Sequence, residues 1–305
     1  MEPVSADQVT MLRRFNRYFT RRIGVLDDHY LGQDRPLGEA RLLFEIGDTG
    51  ASLRELRARL GLDAGYLSRM VRALEAQDLV RVRVHSGDSR LRVAELTAAG
   101  QAEVKEQNRL ADGLAEGLLS GLAAPRRAEL TAALDTAHRL LRLAAITVET
   151  VDGASPDARA CLAAYAADID ERFPEGFDPG SLVRPHEVSG EAGAFLVAYE
   201  ESRPVGCGAL RRLAPHVGEI RHVWVHPGAR RLGLGRRILD GLEQRATERD
   251  FTVVRLDTHA VLTEAQAMYR ACGYAEIPRY DDNVYAAHWF EKRLPGAGAK
   301  KPPGR

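Results

Sequence analysis

The segment 219–236, EIRHVWVHPGARRLGLGR, constrains the fold of this chain more than any other. Its alternating apolar residues predict a β-strand, which reaches a His-Pro-Gly turn and then a helical pattern that follows Gly233 and Gly235. Glycines let backbone N–H groups approach an anion closely, and a helix N-terminus adds unpaired donors with partial positive charge. The order strand, glycine turn, helix therefore indicates a phosphate-binding site, to which Arg230 or Arg236 could add a planar cation.

Glycine spacing alone leaves an ordinary strand-to-helix turn equally open, and no Gly-Lys-Ser/Thr follows as in the Walker pattern. A second segment, 265–274 (AQAMYRACGY), helps to decide between an ordinary turn and a phosphate-binding loop. Residues 230–235 resemble the acetyl-CoA loop of the GNAT acetyltransferase family, Arg/Gln-x-x-Gly-x-Gly/Ala. Residues 265–274 resemble its closing helix, Ala-x-x-x-Tyr-x-x-x-Gly-Phe/Tyr. Many members carry glycine where Arg231 stands, so a slightly stiffer loop is expected here.

The resemblance implies an α/β fold with a mixed, mostly antiparallel sheet. Its fourth and fifth strands would separate and admit the pantetheine arm of acetyl-CoA, the co-substrate. Backbone groups of residues 223–225 would polarise the thioester carbonyl, and the glycine turn would hold the diphosphate. No metal is expected. The residues that the resemblance assigns to the co-substrate are Val223, Trp224, Val225, Arg230, Arg231, Leu232, Gly233, Leu234, Gly235 and Arg236.

Two side chains are candidates for the chemistry, in which the attacking amine loses a proton and the departing thiolate gains one. Tyr269 stands at the position of the family's catalytic tyrosine, so the resemblance implies an acid there; a packed aromatic is the alternative. Glu219 opens the fourth strand, where several members carry a catalytic glutamate that acts as a base through water. A solvated charge at the strand end is the alternative.

Two histidines compete with Glu219 as the base, because an ordinary pKa of about 6.5 suits proton transfer. Strand alternation places His222 and His226 with Trp224, on the face opposite Glu219 and Val223. We therefore expect His222 to pack behind the co-substrate as a structural residue. The cysteines need no catalytic role, because direct transfer forms no covalent intermediate with the protein.

The first half of the chain carries the pattern of a helix-turn-helix. Ser52 and Glu55 form a predicted capping box, Gly61 ends that helix, and Asp63 caps the next one. Two alternating segments joined by a polar turn follow within residues 80–96, which predicts a β-hairpin. A helix-turn-helix followed by a hairpin is a winged helix. Long amphipathic helices are predicted before it, over 8–30, and after it, over 98–122 and 125–145.

This half resembles the MarR family of winged-helix regulators, on Asp88-x-Arg90 at the wing and Leu96-Thr97-x-x-Gly100 after it. The resemblance covers about residues 8–145. It implies a homodimer built by the terminal helices, and double-stranded DNA with a palindromic site as partner. A winged helix kept only as a dimerisation scaffold is the alternative. The candidate DNA-binding residues are Tyr66, Ser68, Arg69, Arg72, Asp88, Arg90 and Arg92.

The chain of 305 residues is thus divided into a winged-helix domain over 1–145, an acetyltransferase domain over 146–295 and a disordered tail over 296–305. A net charge of zero excludes an argument for nucleic-acid binding from overall charge. Three widely spaced cysteines show no metal or disulfide pattern, and no signal peptide or apolar run of membrane-spanning length is present. A cytoplasmic protein without a membrane partner is expected.

Two functions from different classes remain open. In the first, the chain is an N-acetyltransferase that transfers acetyl directly to a primary amine of a small molecule or protein, coupled to a DNA-binding regulator. In the second, the chain is a transcriptional regulator whose acetyltransferase domain only senses acetyl-CoA or another metabolite. The acceptor pocket would draw on segments that relatives use for it, and these offer Glu171, Arg172, Phe173, Phe177, Tyr280, Asp281, Asp282 and Trp289.

Overall fold

A computed structural model describes residues 3–25, 30–85 and 88–295, without the side chains of Tyr30, His85 and 88–90. The predicted tail over 296–305 lies outside the described residues. Contacts divide the chain into two compact units, Met1–Ala132 and Ala133–Arg305. This division falls inside the last helix of the domain that the sequence analysis bounds at residue 145.

The first unit is helical, with a small three-stranded sheet in the order β1-β3-β2, both pairings antiparallel. The hairpin β2–β3 follows the second of two short helices, which confirms the winged helix. The elements are α1 Ala6–Arg22, α2 Leu37–Ile46, β1 Ala51–Ser52, α3 Leu53–Leu60, α4 Ala64–Ala76, β2 Val80–His85, β3 Asp88–Leu96, α5 Ala98–Ser120 and α6 Ala124–Ala145, the last crossing into the second unit.

The helix-turn-helix forms because each helix end is capped by the residue that the sequence indicates. Ser52 and Glu55 make both hydrogen bonds of the capping box. Gly61 ends α3 with a left-handed φ of 62°, and the Asp63 carboxylate accepts from the Tyr66 N–H at 2.9 Å to start α4. The first long helix is shorter than predicted, because α1 ends at Arg22.

The second unit is a seven-stranded sheet in the order β4-β5-β6-β7-β8-β10-β9. Only the β7–β8 pair is parallel, so the prediction of a mixed, mostly antiparallel sheet is confirmed. The elements are β4 Thr147–Val151, α7 Pro156–Arg172, β5 Gly193–Glu200, β6 Arg203–Ala214, β7 Val217–Val225, α8 Leu234–Thr247, β8 Val253–Thr258, α9 Thr263–Ala271, β9 Ala275–Ile277 and β10 His288–Arg293.

Each face of this sheet buries an apolar layer. Helix α8 packs Ile238, Leu239 and Leu242 on one face, and α7 covers the other face around Phe195 and Trp224. The three cysteines are free and buried, as expected for small apolar side chains. None of the described helices has both the length and the apolar character needed to cross a bilayer.

Helix α9 begins differently from the prediction. The sequence indicates a capping box in which Thr263 caps the helix and Gln266 reaches back to it. In the structure Thr263 is already helical and the capping residue is Leu262, which makes no side-chain cap. Gln266 Nε2 donates to the carbonyls of His259 and Ala260 in the preceding loop, so the predicted capping box is wrong.

Candidate active site

A cavity of about 610 Å³ opens where β7 and β8 separate. The two strands pair only over Val217–Glu219 and Val253–Arg255, yet β7 continues to Val225 and β8 to Thr258. The predicted separation of these strands is therefore confirmed. Backbone groups on the facing edges have no neighbouring strand there, and α7, α9 and the start of α8 complete the walls of the cavity.

The glycine turn presents a row of unpaired backbone donors to this cavity. Within the described part of the chain, the N–H groups of residues 231–236 donate to no acceptor. Gly233 caps α8 with a φ of 86°, and Arg231 also has a positive φ, of 64°. This left-handed backbone favours glycine at residue 233, and left-handed residues in a turn are typical of backbone nests that bind anions. Six open donors at a helix N-terminus form a site for an anion.

The arginines near the turn fall into two groups. Arg230 is held by Asp168, with 2.6 Å between Nη2 and Oδ2, and by the Val225 carbonyl at 3.1 Å. Arg231 and Arg236 line the cavity and form no hydrogen bond or ion pair with any residue that the structure describes. Of the predicted cations, these two are the ones available to a diphosphate without breaking an existing ion pair.

A β-bulge in β7 changes which of its side chains lie on each face of the sheet, compared with the prediction. Cys207 pairs with Trp224 and Ala209 with Arg221, so His222 and Val223 together lie opposite the single residue between Cys207 and Ala209. The extra residue, with a φ of 51° at His222, reverses the alternation. Trp224 therefore packs towards α7, on the same side as Ala209 and its partner Arg221. Val223 and Val225 pack towards α8. The predicted grouping of Glu219 with Val223 is wrong.

His222 is buried against α7 and the loop that follows it. Its Nε2 accepts the Val183 N–H at 3.1 Å, and its ring lies 4.9 Å from that of Tyr165. Burial, together with the charges of Arg221 and Arg211, lowers the pKa of His222 to about 3. A ring that stays neutral and accepts a backbone hydrogen bond fits the structural role expected for it.

Tyr269, the predicted acid, lines the cavity from α9. Its side chain is buried, yet its hydroxyl has no hydrogen-bond partner among the described residues. Burial raises the pKa of Tyr269 well above its ordinary value, and the nearby charges of Asp257 and Cys272 add to that. The hydroxyl is thus a protonated donor available to a group in the cavity.

Glu219, the predicted base, is fully enclosed and is not among the residues that line the cavity. Its Oε2 accepts from the Arg211 guanidinium, and its Oε1 accepts from the Tyr280 hydroxyl at 3.1 Å. Both oxygens are engaged, and Arg211 holds Glu187 as well, at 3.0 Å. The alternative for Glu219, a solvated charge at the strand end, does not occur, because the side chain is buried.

Asp257, at the end of β8, is a site residue that sequence reasoning missed. It lines the cavity, and its Oδ1 accepts from Asn283 Nδ2 at 2.8 Å. The pKa of Asp257 is raised to about 6, mainly by burial; the charge of Arg221 opposes the rise, and those of Asp281 and Glu219 add to it. A carboxyl that titrates near neutrality beside an open strand edge has the properties of a general base.

Carboxylate oxygens of Glu219, Asp257 and Asp281 lie within 4.8 Å of one another. Three acids this close could hold a cation. However, each carboxylate already accepts from protein N–H or O–H groups, including the Trp289 Nε1 that donates to Asp281 at 2.8 Å. The three carboxylates are therefore held by hydrogen bonds from the protein, and within the cluster the pKa of Asp257 is raised.

Comparison with known proteins finds a matching family model in each half of the chain. Residues 162–274 match the model of the Acetyltransferase (GNAT) family, and residues 33–91 match that of the MarR family. The chain joins a MarR-family domain to a GNAT-family acetyltransferase domain. Both resemblances seen in the sequence are confirmed.

Curated relatives match about a quarter of the chain. The chain is 34% identical over 83 residues to the IAA acetyltransferase of Azospirillum brasilense, which is 27% of the chain and 54% of the relative. It is 30% identical over 79 residues to the uncharacterized protein YyaT of Bacillus subtilis, 26% and 51% of the two lengths. The chain therefore spans about half the length of these relatives.

Solved structures similar to the chain include both families. A GNAT acetyltransferase of Staphylococcus aureus is 19% identical with a TM-score of 0.43, covering 50% of this chain and all of that one. The yncA protein of Salmonella typhimurium, solved with acetyl-CoA, is 17% identical with a TM-score of 0.41, covering 51% and 98%. Wild-type MarR of E. coli is 22% identical with a TM-score of 0.38, covering 45% and 98%.

The predicted acceptor residues of the GNAT domain divide between the cavity and its surroundings. Arg172, Phe173 and Phe177 line the cavity. The others do not, and they are Glu171, Tyr280, Asp281, Asp282 and Trp289. Asp281 instead belongs to the carboxylate cluster, in which Tyr280 donates a hydrogen bond to Glu219 and Trp289 donates one to Asp281.

In the MarR domain, α4 presents Tyr66, Arg69 and Arg72 as exposed side chains and Ser68 as a partly exposed one. The Arg69 guanidinium lies 5.7 Å from the centre of the Tyr66 ring. Arg92 is exposed on β3. The side chains of Asp88 and Arg90, two further candidate DNA-binding residues, lie outside the described residues.

Proposed function

We propose that the GNAT domain transfers the acetyl group of acetyl-CoA directly to a primary amine. The observation that carries the proposal is the row of open N–H donors at residues 231–236, at one end of a cavity that also holds the Tyr269 hydroxyl. The diphosphate would lie on those donors and on Arg231 and Arg236. The pantetheine arm would then lie along the open edge of β7, in the gap between β7 and β8.

In this mechanism the amine nitrogen attacks the thioester carbonyl carbon. Backbone N–H groups on the open side of β7 stabilise the oxyanion, and the C–S bond breaks as the C–N bond is completed. Tyr269 protonates the departing thiolate. Asp257 takes the proton from the amine, because it lines the cavity and its pKa of about 6 leaves it ionised at neutral pH.

The role proposed for Glu219 is to raise the pKa of the base, Asp257. Its carboxylate belongs to the same cluster, and its charge raises that pKa. The role of direct or water-relayed base, expected for Glu219 from the family resemblance, remains the rival assignment.

CoA release with a panel of primary amines tests the proposal. Tyr269→Phe should lower kcat by about 10²- to 10⁴-fold, because the thiolate then leaves without an acid. Tyr274→Phe is the matched control: Tyr274 is equally buried on the segment after α9, but it does not line the cavity, so kcat should be retained. Wild-type protein that releases no CoA with any amine would favour the alternative, a sensor of acetyl-CoA.

For the MarR domain we propose binding to a palindromic double-stranded DNA site as a homodimer. Support comes from the exposed arginines of α4 and from the wing residue Arg92. The dimer is supported by large apolar side chains that stay exposed on the terminal helices, including Leu12 and Phe15 on α1, and Leu130 on α6.

A further inference from the structure

Arg221 is an arginine of the cavity that the proposed mechanism leaves unused. It is half-buried, lines the cavity, and forms no hydrogen bond or ion pair with any described residue. Two other cavity arginines are already engaged: Arg172 with Asp168 and Glu264, and Arg230 with Asp168. A half-buried guanidinium without a partner is costly unless a ligand supplies an anion.

The position of Arg221 separates it from the glycine turn. The bulge places it on the α7 side of β7 with Trp224, whereas Val225 and the N-terminal part of α8 pack on the other side. Three residues of strand lie between Arg221 and Val225, a separation on the order of 10 Å. Its charge acts on Asp257, Tyr165 and His222, so it lies at the base end of the cavity.

Aromatic rings form a wall of the cavity beside Arg221 and Asp257. Phe177 has its ring centre 5.2 Å from that of Tyr285, 5.7 Å from that of Tyr165 and 6.3 Å from that of Phe173. His259 stacks on Phe173 at 4.0 Å. All five line the cavity. Such a wall binds an apolar or aromatic side chain by area burial and ring contacts.

We propose that the acceptor is an aromatic α-amino acid, with its carboxylate on Arg221, its amine at Asp257 and its ring against the aromatic wall. The proposal rests on the acetyl transfer proposed above. An α-amino acid carries its amine and its carboxylate on one carbon, and the site offers a carboxyl and a free guanidinium as neighbours. Arg221 is a binding residue here, because a planar guanidinium receives a carboxylate through two parallel N–H donors.

The test compares three acceptors by CoA release: L-phenylalanine, phenethylamine, which has the same ring and amine without the carboxylate, and L-alanine, which lacks the ring. Wild-type protein should have a kcat/KM for phenylalanine about 10- to 100-fold above that for phenethylamine, the value of a charged hydrogen-bonded pair. Arg221→Gln should remove this preference through KM for the amino acid, and Arg221→Lys should restore part of it.

Arg231→Gln is the matched control, since it removes a cavity arginine at the other end. It should raise KM for acetyl-CoA and keep the ratio of phenylalanine to phenethylamine. Phe177→Leu should lower the preference for phenylalanine over alanine. Titration of phenylalanine into the CoA-bound protein provides a readout without turnover, and the heat of binding should be lost in Arg221→Gln.

The outcomes separate this inference from the proposed function. Acetylation of phenethylamine at the same kcat/KM as phenylalanine, or a ratio unchanged in Arg221→Gln, would overturn the inference and leave acetyl transfer standing. A wild-type protein that binds acetyl-CoA but acetylates none of the three acceptors would also overturn it. Failure to bind acetyl-CoA would instead remove the proposed function, and the inference with it.

Discussion

Tyr269 and Asp257 face one cavity, and burial raises the pKa of both with opposite consequences. The Tyr269 hydroxyl keeps its proton throughout the neutral range and is suited to donate it. The Asp257 carboxyl, with its pKa raised to about 6, loses its proton just below neutrality and is suited to accept one. Two groups with pKa values on either side of neutral pH are what an acid and a base in one site require.

The pH dependence of kcat/KM follows from Asp257. Its ionised form is the active one, so kcat/KM should be lost as the pH falls through about 6, the pKa of this group in the protein without bound substrate. Asp257→Asn should lower kcat and remove this acidic limb. In Glu219→Gln the limb should move to lower pH, because a charge that raises the pKa of Asp257 is gone. If the limb persists in Asp257→Asn and disappears in Glu219→Gln, the base is Glu219.

The same titration affects stability. Folding raises the pKa of Asp257 above the ordinary carboxyl value, so the folded chain holds that proton more tightly than the unfolded chain. This contribution to the free energy of unfolding is present at low pH and is lost as the pH rises through about 6.

At the scale of elements, the glycine turn should be the most sensitive segment of the site. Gly233→Ala forces alanine into a φ of 86°, which costs roughly 1–2 kcal/mol. Relief of that strain would turn the N–H row away from the diphosphate, so KM for acetyl-CoA should rise. Gly228→Ala is the control, because its φ is not left-handed and an added Cβ meets only the His226 ring, at 3.4 Å.

Elements defined by local chemistry could be predicted from the sequence. Ser52, Gly61 and Asp63 cap helices by contacts within a few residues. The bulge at His222 could not be predicted, because one extra residue in a strand leaves no mark on an alternating pattern.

The site residues also divide into those that a local motif reveals and those that depend on tertiary contacts. Tyr269 was found because a helix motif contains it. Asp257 was missed, because its raised pKa depends on Asp281 and Glu219, which the fold brings in from other segments. Glu219 was placed correctly at a strand, but its enclosure by Arg211 and Tyr280 is a tertiary contact that strand position does not reveal.

In the whole molecule, the two compact units carry different proposed functions, and each can be tested while the other serves as an internal control. Arg69→Ala with Arg72→Ala should weaken binding to the upstream DNA of the chain's own gene and make the salt dependence shallower, because two cations leave the proposed interface. CoA release by the same variant should stay unchanged.

The matched control for DNA binding is Arg126→Ala with Arg127→Ala at the start of α6. It removes the same charge from exposed positions away from α4. Equal loss of affinity in both double variants would mean that overall charge, and not α4, carries the binding. Unchanged affinity in the α4 variant would exclude this helix as the reader.

The function proposed for the GNAT domain requires the N–H groups of residues 231–236 to hold the diphosphate of coenzyme A. Calorimetric titration of the folded full-length chain tests it most directly, with acetyl-CoA and, in parallel, S-acetylpantetheine, which has the thioester arm without the diphosphate. We predict saturable binding of one acetyl-CoA per chain and far weaker binding of S-acetylpantetheine. No heat with acetyl-CoA, or equal affinity for the two compounds, would contradict the account.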